Sequence, residues 1–232
     1  TLHMFNDLGV IEVSLFPLGD FKDFGKLRNE LITLRKKKAF DGIIIDLRLD
    51  GDGANRVDFN ATSIAQELRS MTARGDAPAF PIILCSTETK IRETYDVDKS
   101  SHDLFDYKFE KSDKPDSKKF SRKLESLAKG YDLLNARELK LSVIFNNVEL
   151  SSIDSRILER FDENNKLVVH DYSHFVVKNL FHCTNPLLKE KTVAARLGID
   201  IEASAEWHKL LEDIFYKAKY SGVFSDGWDR WW

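Results

Sequence analysis

The 232-residue chain is 42% hydrophobic and is long enough to bury a real core in one large domain or two ordinary ones. Its 35 basic and 38 acidic residues give a formal charge of −3, which excludes a chain-wide field drawing it to nucleic acid or an anionic membrane but leaves room for a local basic patch. Two cysteines, Cys85 and Cys183, lie far apart without the paired spacing of a zinc site or a disulfide framework, a usage that fits a reducing compartment.

No apolar run approaches the roughly 18 residues that span a bilayer, and the start lacks the basic-then-apolar pattern of a signal peptide. A cytoplasmic protein without a membrane partner is therefore expected. The chain opens on Thr1 rather than methionine, which points to a processed product or part of a longer polypeptide.

Val10 to Phe16 is dense in β-branched and aromatic residues between Gly9 and Pro17, and predicts a buried strand. From Asp20 onward, Phe24, Leu27, Leu31 and Leu34 recur every three or four residues and predict an amphipathic helix. Its end falls in the basic run Arg35 to Lys38, read as a solvated helix terminus. Gly42 to Asp46 is a continuous apolar stretch closed by a carboxylate, the pattern of a parallel strand covered on both faces.

After a Gly- and Asp-rich loop, Ile64, Ala65, Leu68 and Met71 outline another helix, Phe80 to Cys85 a third strand ending at Ser86 and Thr87, and Leu104 to Phe109 a fourth ending near Lys111. Strands alternating with amphipathic helices predict a parallel α/β sheet. Ligands of such sheets bind at the carboxyl ends of strands, where this chain places an aspartate, a hydroxyl and a lysine: Asp46, Ser86 and Lys111. A carboxylate that accepts a phosphoryl group needs its charge neutralised, and a lysine and a hydroxyl to bind the product oxygens. The bland reading of Asp46 is a capping or loop-ordering carboxylate.

The segments Phe40 to Leu49, Pro81 to Thr87 and Phe105 to Lys111 together resemble the receiver domains of two-component response regulators. The resemblance covers about the first half of the chain. It implies a flavodoxin-like parallel-sheet domain with Asp46 as phosphoacceptor, Ser86 as switch hydroxyl and Lys111 as phosphate-binding lysine. It further implies Mg2+ held at Asp46 and a histidine kinase partner.

The sequence departs from the family pattern in three places. No strand with an acidic pair precedes Val10, Asp50 stands where the family has proline beyond the phosphoacceptor, and Ser112 rather than proline follows the lysine. The first strand thus lies upstream or does not exist, and the receiver is truncated or degenerate. Asp50, Asp52 and Asp113 are further oxygen donors for a hard cation, or ordinary loop acids.

The boundaries expected are a receiver-like domain over 1–134 and a mainly helical output or interaction domain over 135–232. Phe120, Leu124, Leu127 and Tyr131 predict a helix that closes the sheet or connects the halves. Leu139 to Phe145 leaves helix and strand open, and Ser151-Ser152 reads as the cap of a helix through Ile157, Leu158 and Phe161. His170 and His174, four apart, with His182 and Cys183, are zinc-capable types in no established ligand spacing, and packed or hydrogen-bonded histidines are the simpler reading.

Thr192 to Asp200 is reminiscent of the start of a helix-turn-helix, but Glu202 and Glu206 follow where a recognition helix needs donors for phosphates, so DNA binding is disfavoured and a helix end at Gly198 preferred. Three of the four tryptophans, Trp228, Trp231 and Trp232, close the chain; they are read as packing on their own domain, with a partner surface as the functional alternative. The expected function is a phosphorylation-responsive signalling or adaptor protein. The alternatives are a degenerate pseudo-receiver acting as an interaction scaffold in a bacterial multiprotein complex, such as a defence complex, and a DNA-binding response regulator. No nucleophile-and-base arrangement or phosphate-cradling glycine loop points to an independent enzyme.

Overall fold

The structure, a computed structural model, describes residues 9–47, 49, 59–87, 101–111, 116–136, 140–146, 148–161, 166–183 and 186–232. Asp50, Asp52 and Asp113 lie outside the described residues.

Three short strands, β1 (Ile43–Asp46), β2 (Ile82–Ser86) and β3 (Tyr107–Glu110), form a parallel sheet in the order β1-β2-β3. Ile43 pairs with Ile82 and Ile83 with Tyr107, so the strands run nearly flush and their carboxyl ends share one rim. The middle strand is buried along its whole length, which is why Ile-Ile-Leu-Cys shows no polar alternation.

Helix α1 (Phe24–Lys36) begins where the Lys26 amide donates to Asp23 Oδ1 at 2.8 Å, and α2 (Ala61–Ala73) where the Ser63 amide donates to Asn60 Oδ1 at 2.8 Å. Leu27 and Leu31 of α1 and Ile64, Leu68 and Met71 of α2 pack with Ile45, Ile82 and Leu84. The alternate residues, Ile83, Cys85 and Phe109, point to the opposite face and meet Phe120 and Leu124 of α3 (Ser117–Ala136). The two-residue period of the strands thus gives each face its own helices.

Sequence expectations are corrected at four places. Val10 to Phe16 is not a strand: the segment has no regular secondary structure, although Ile11 and Val13 still pack on the Phe109 and Phe120 face. The third strand of the sheet starts at Tyr107 because Ser101–Leu104 is a turn of 3-10 helix. The cap expected at Ser151-Ser152 is supplied by Asp154, whose Oδ1 accepts from the Arg156 amide at 3.0 Å, and the helix is the single turn α5 (Ser155–Leu158). Lys36 to Lys38 form the exposed helix end expected of the basic run, but Arg35 does not. At 4% exposure it donates to the carbonyls of Phe40 at 2.9 Å and Ala79 at 3.1 Å, tying the end of α1 to the segment that feeds β2.

Helix α3 continues past the sheet. Its second half buries Leu127, Tyr131 and Leu134 against the helical region: α4 (Lys140–Phe145), α6 (Val169–His174), the π-helical turn Phe175–Phe181 that extends α6, and the tail through Trp228. Gly130 sits mid-helix because the Phe224 ring approaches to 2.2 Å of where its Cβ would stand. The segment Leu139 to Phe145, whose period left two readings open, is helical at Lys140–Phe145. A smaller cluster joins α7 (Glu190–Leu197) and α8 (Trp207–Asp213) to Leu188 and Trp231. The tail tryptophans pack inward, Trp228 at 4% exposure and Trp231 pinned by reciprocal backbone hydrogen bonds with Leu188. Among the described residues no helix is long and apolar enough to cross a membrane.

One buried carboxylate joins the sheet to this second core. Asp106, just before β3, accepts from the Ile82 amide at 2.8 Å, Arg69 Nη2 of α2 at 2.6 Å, the Tyr131 hydroxyl of α3 at 2.6 Å and Ser173 Oγ of α6 at 2.7 Å. Burial alone would push this carboxyl up, but Arg69, with His170 and the Tyr131 hydroxyl, reverses the effect and holds it well below the usual carboxylate range. A carboxyl depressed in the folded state binds fewer protons folded than unfolded. Its contribution is therefore complete above the unfolded value of about 4 and is lost as the pH falls below it. Asp106→Asn, which strands the buried Arg69 without its counter-charge, should cost about 3–5 kcal/mol in urea unfolding at pH 7. The stability lost on titrating from pH 5 downward should be smaller in that variant than in the parent.

Candidate functional site

Asp46 is the last residue of β1, Ser86 the last of β2, and Lys111 follows β3 by one residue. The apolar runs Ile43-Ile44-Ile45 and Ile82-Ile83-Leu84-Cys85 fill the sheet and end at Asp46 and Ser86, while β3, Tyr-Lys-Phe-Glu, mixes polar and apolar residues before Lys111. Register sets Asp46 opposite Cys85 and Ser86 opposite Glu110, and the Lys111 amide donates to the Ser86 carbonyl at 2.8 Å. Lys111 Nζ reaches across the carboxyl end of β2 and forms an ion pair with Asp46 Oδ2.

The three residues expected to converge are therefore on one rim, with different access. Asp46 and Lys111 are 42% and 39% exposed, whereas Ser86 is 1% exposed beneath them. The carboxylate and its lysine are open to a reactant in solution, and the hydroxyl is part of the packed floor. Cys85 borders the rim from the α3 side. Burial pushes its thiol up, Lys111 pulls it down and Asp46 raises it again, the sum lying above the ordinary value.

The receiver resemblance implies a divalent cation beside Asp46. Among the described residues no group of three or more His, Cys, Asp or Glu side chains could hold an ion, and Asp46 Oδ2 already meets Lys111. The described donors by themselves do not make up the oxygen shell that magnesium takes.

The remaining predicted groups are placed as follows. His170 and His174 share a face of α6, their rings 6.0 Å apart, but His170 Nε2 donates to the Asp103 carbonyl at 2.9 Å and its Nδ1 lies 3.1 Å from the Tyr131 hydroxyl. His174 lies 3.6 Å from the Asp103 carboxylate; burial, then Lys178 and His170, hold it below its ordinary value. Both histidines thus serve the junction around Asp103 and Asp106. His182 and Cys183 are exposed, Cys183 Sγ meeting the Lys178 carbonyl at 3.3 Å. Helix α7 ends at Gly198 in the left-handed conformation, φ 67°, and α8 buries Trp207 and Leu211 behind a surface that carries Glu206, Glu212 and Asp213.

The sequence reading missed Asp106, Arg69 and Tyr131. The available signal was a carboxylate set between Phe105 and Tyr107 on the approach to a strand, a place where an acid is costly unless paired.

Comparison of the chain with protein-family models, with curated proteins and with solved structures finds no match in any of the three.

Two outcomes follow from the rim geometry. An exposed ion pair contributes little, so Asp46→Asn should shift urea-unfolding stability by less than about 1 kcal/mol, leaving a folded protein for functional tests. Iodoacetamide at pH 8 should label Cys183 in the folded chain while Cys85 reacts only after urea is added, as read by peptide mass analysis.

Proposed function

We propose that the chain is a phosphorylation-responsive signalling or adaptor protein, with a flavodoxin-like receiver domain whose phosphoacceptor is Asp46. The observation that carries this reading is the Asp46–Lys111 ion pair at the carboxyl rim of a parallel sheet, with Ser86 on the strand between them. Helices α1 and α2 on one face and α3 on the other support the layered arrangement that the resemblance implies.

In the proposed reaction a carboxylate oxygen of Asp46 attacks the phosphorus of a phosphohistidine in a kinase partner, or of acetyl phosphate. The P–N or P–O bond to the donor breaks, the leaving group takes the electron pair, and an acyl phosphate forms on Asp46. Lys111, released from the carboxylate, donates to a phosphoryl oxygen. Ser86 reaches the same group only after movement of the floor in which it is buried. That movement couples the rim to β2 and to the helices packed on it.

A second reading, a pseudo-receiver that holds a protein complex together without being phosphorylated, draws on two features. Lys111 already neutralises Asp46, and among the described residues no group of three or more His, Cys, Asp or Glu side chains is placed to hold an ion.

Intact-mass analysis after incubation with acetyl phosphate in magnesium-containing buffer separates the two. The first reading expects one added phosphoryl group that hydroxylamine removes and that Asp46→Asn abolishes. No adduct, together with no change in melting temperature on adding beryllofluoride, would leave the scaffold.

A further inference from the structure

Away from the Asp46 rim, at the amino end of β3, positive charge is concentrated around an aromatic floor. Trp228 stacks on Phe181 at 5.3 Å between ring centroids and meets Tyr107 edge-on at 6.0 Å. Lys123 of α3 lies over this floor, its Nζ 4.5 Å from the Tyr107 ring centroid and 5.3 Å from that of Trp228, and it donates to the Tyr107 hydroxyl at 2.8 Å. Arg230 lies over the Phe181 ring of the same floor, its guanidinium carbon 5.7 Å from the centroid: Nε and Nη2 both donate to the Phe181 carbonyl at 3.1 Å, and Nη1 to the Asp229 carbonyl at 2.8 Å. The bridge between Leu188 and Trp231 brings Lys189 alongside Arg230, and His182 follows Phe181 directly.

These cations lack matching acids. Among the described residues none of Lys119, Lys123, Lys189 and Arg230 forms an ion pair; of the neighbouring acids, Asp229 turns its carboxylate to Lys219 at 2.9 Å and Arg122 at 3.5 Å, and Asp116 Oδ1 accepts from the Lys119 amide at 3.0 Å. The crowding is felt by the groups themselves. Burial and then Lys119, Arg230 and Lys189 bring the Lys123 ammonium down to about 8, against the opposing pull of Asp116. Partial covering of its ring, then Arg230, Lys123, Lys189 and Lys178, also hold the otherwise exposed His182 below its ordinary value. A chain of net charge −3 that collects unpaired cations in one place, two of them partly buried, has a local field suited to an anion.

The free donors define the anion. Lys123 keeps two N–H groups after its bond to Tyr107, and Arg230 keeps one hydrogen on each Nη, so both retain donors without leaving their anchors. Together with the exposed ammoniums of Lys119 and Lys189 they exceed what one carboxylate accepts, and suit the several charged oxygens of a phosphate group.

We propose that Lys119, Lys123, Lys189 and Arg230 form a binding site for a small phosphate-bearing ligand over the Tyr107–Trp228 floor. The site is independent of the Asp46 reading, since neither Asp46 nor Lys111 belongs to it.

The test is isothermal titration of the full chain with inorganic pyrophosphate at pH 7 and low salt. Saturable binding is expected, weakened about tenfold by Lys123→Gln and about as much by the double change Lys119→Gln with Lys189→Gln, whose side chains are exposed and whose loss leaves the fold intact. Lys209→Gln, on α8, should bind as the parent does. Absence of saturable binding, or equal affinity in the double variant, would overturn the proposal. So would a single-stranded oligonucleotide that binds with the same variant dependence while pyrophosphate does not.

Discussion

The molecule depends on one buried negative charge. Asp106 is wholly enclosed, and its two oxygens accept from β2, α2, α3 and α6 at once. Removing a carboxylate from water costs several kcal/mol, and that cost is offset only when every acceptor position is filled and a counter-charge is close. Arg69 provides the charge and also donates to the carbonyls of Phe80 at 2.9 Å and Leu104 at 3.0 Å, on either side of the sheet's middle strand. The arrangement therefore fixes geometry more than it adds net stability. Hydrophobic contacts alone would let α3 slide on the sheet, whereas four directional bonds to one carboxylate admit a single position.

That fixation reaches the rim. β3 begins at Tyr107, immediately after Asp106, and Lys111 lies one residue beyond its end. Anchoring Asp106 to the Ile82 amide sets where β3 starts against β2, and so sets where Lys111 emerges. A slip of one residue would turn Lys111 to the other face and out of reach of Asp46. Arg35 plays a related part on the other side, since its bonds to Phe40 and Ala79 hold together the two segments that feed β1 and β2. Asn135 completes this seam, its amide accepting from the Ala79 N–H at 3.2 Å and donating to the Ala79 carbonyl at 2.8 Å. Two buried arginines and one amide, none of them at the rim, keep the flush register on which the rim is built.

The sequence made legible whatever depends on local pattern. Ile43 to Asp46 and Ile82 to Ser86 read as buried strands because nothing polar interrupts them, and α1, α2 and α3 read as helices because Leu27 and Leu31, or Leu124 and Leu127, recur on one face. Asp46 and Ser86 came with those elements, as the polar residues at which apolar runs end, and Lys111 as the lysine just beyond the mixed strand Tyr107–Glu110. Val10 to Phe16 failed for the same reason. β-branched residues show that a segment seeks burial, and Ile11 and Val13 do find it, but composition does not reveal whether a neighbouring backbone is there to complete a ladder. Asp106 alone carried a local signal, as an acid between two aromatic residues; its partners could not be read because they stand 24 to 67 residues from it and no local period links them.

The same distinction separates the two halves of the chain. In the first, regular elements carry the polar groups to predictable places. In the second, short helical turns, a π-helical stretch and an irregular tail are ordered mainly by large side chains. Tyr220 shows how this works: its ring is buried against Phe181 and Trp232, while its hydroxyl donates to the carbonyls of Ile144 and Val223, which no helix or strand would satisfy. Aromatic residues with a polar end can cover irregular backbone in this way, burying area and supplying a hydrogen bond in one residue. The concentration of tryptophan at the tail follows from the same need. Trp228 closes the core around Phe181 and Tyr220, and Trp231 the smaller cluster at Leu188, where the backbone is too irregular to close itself; in doing so they set Arg230 over the Phe181 ring with Lys189 alongside it.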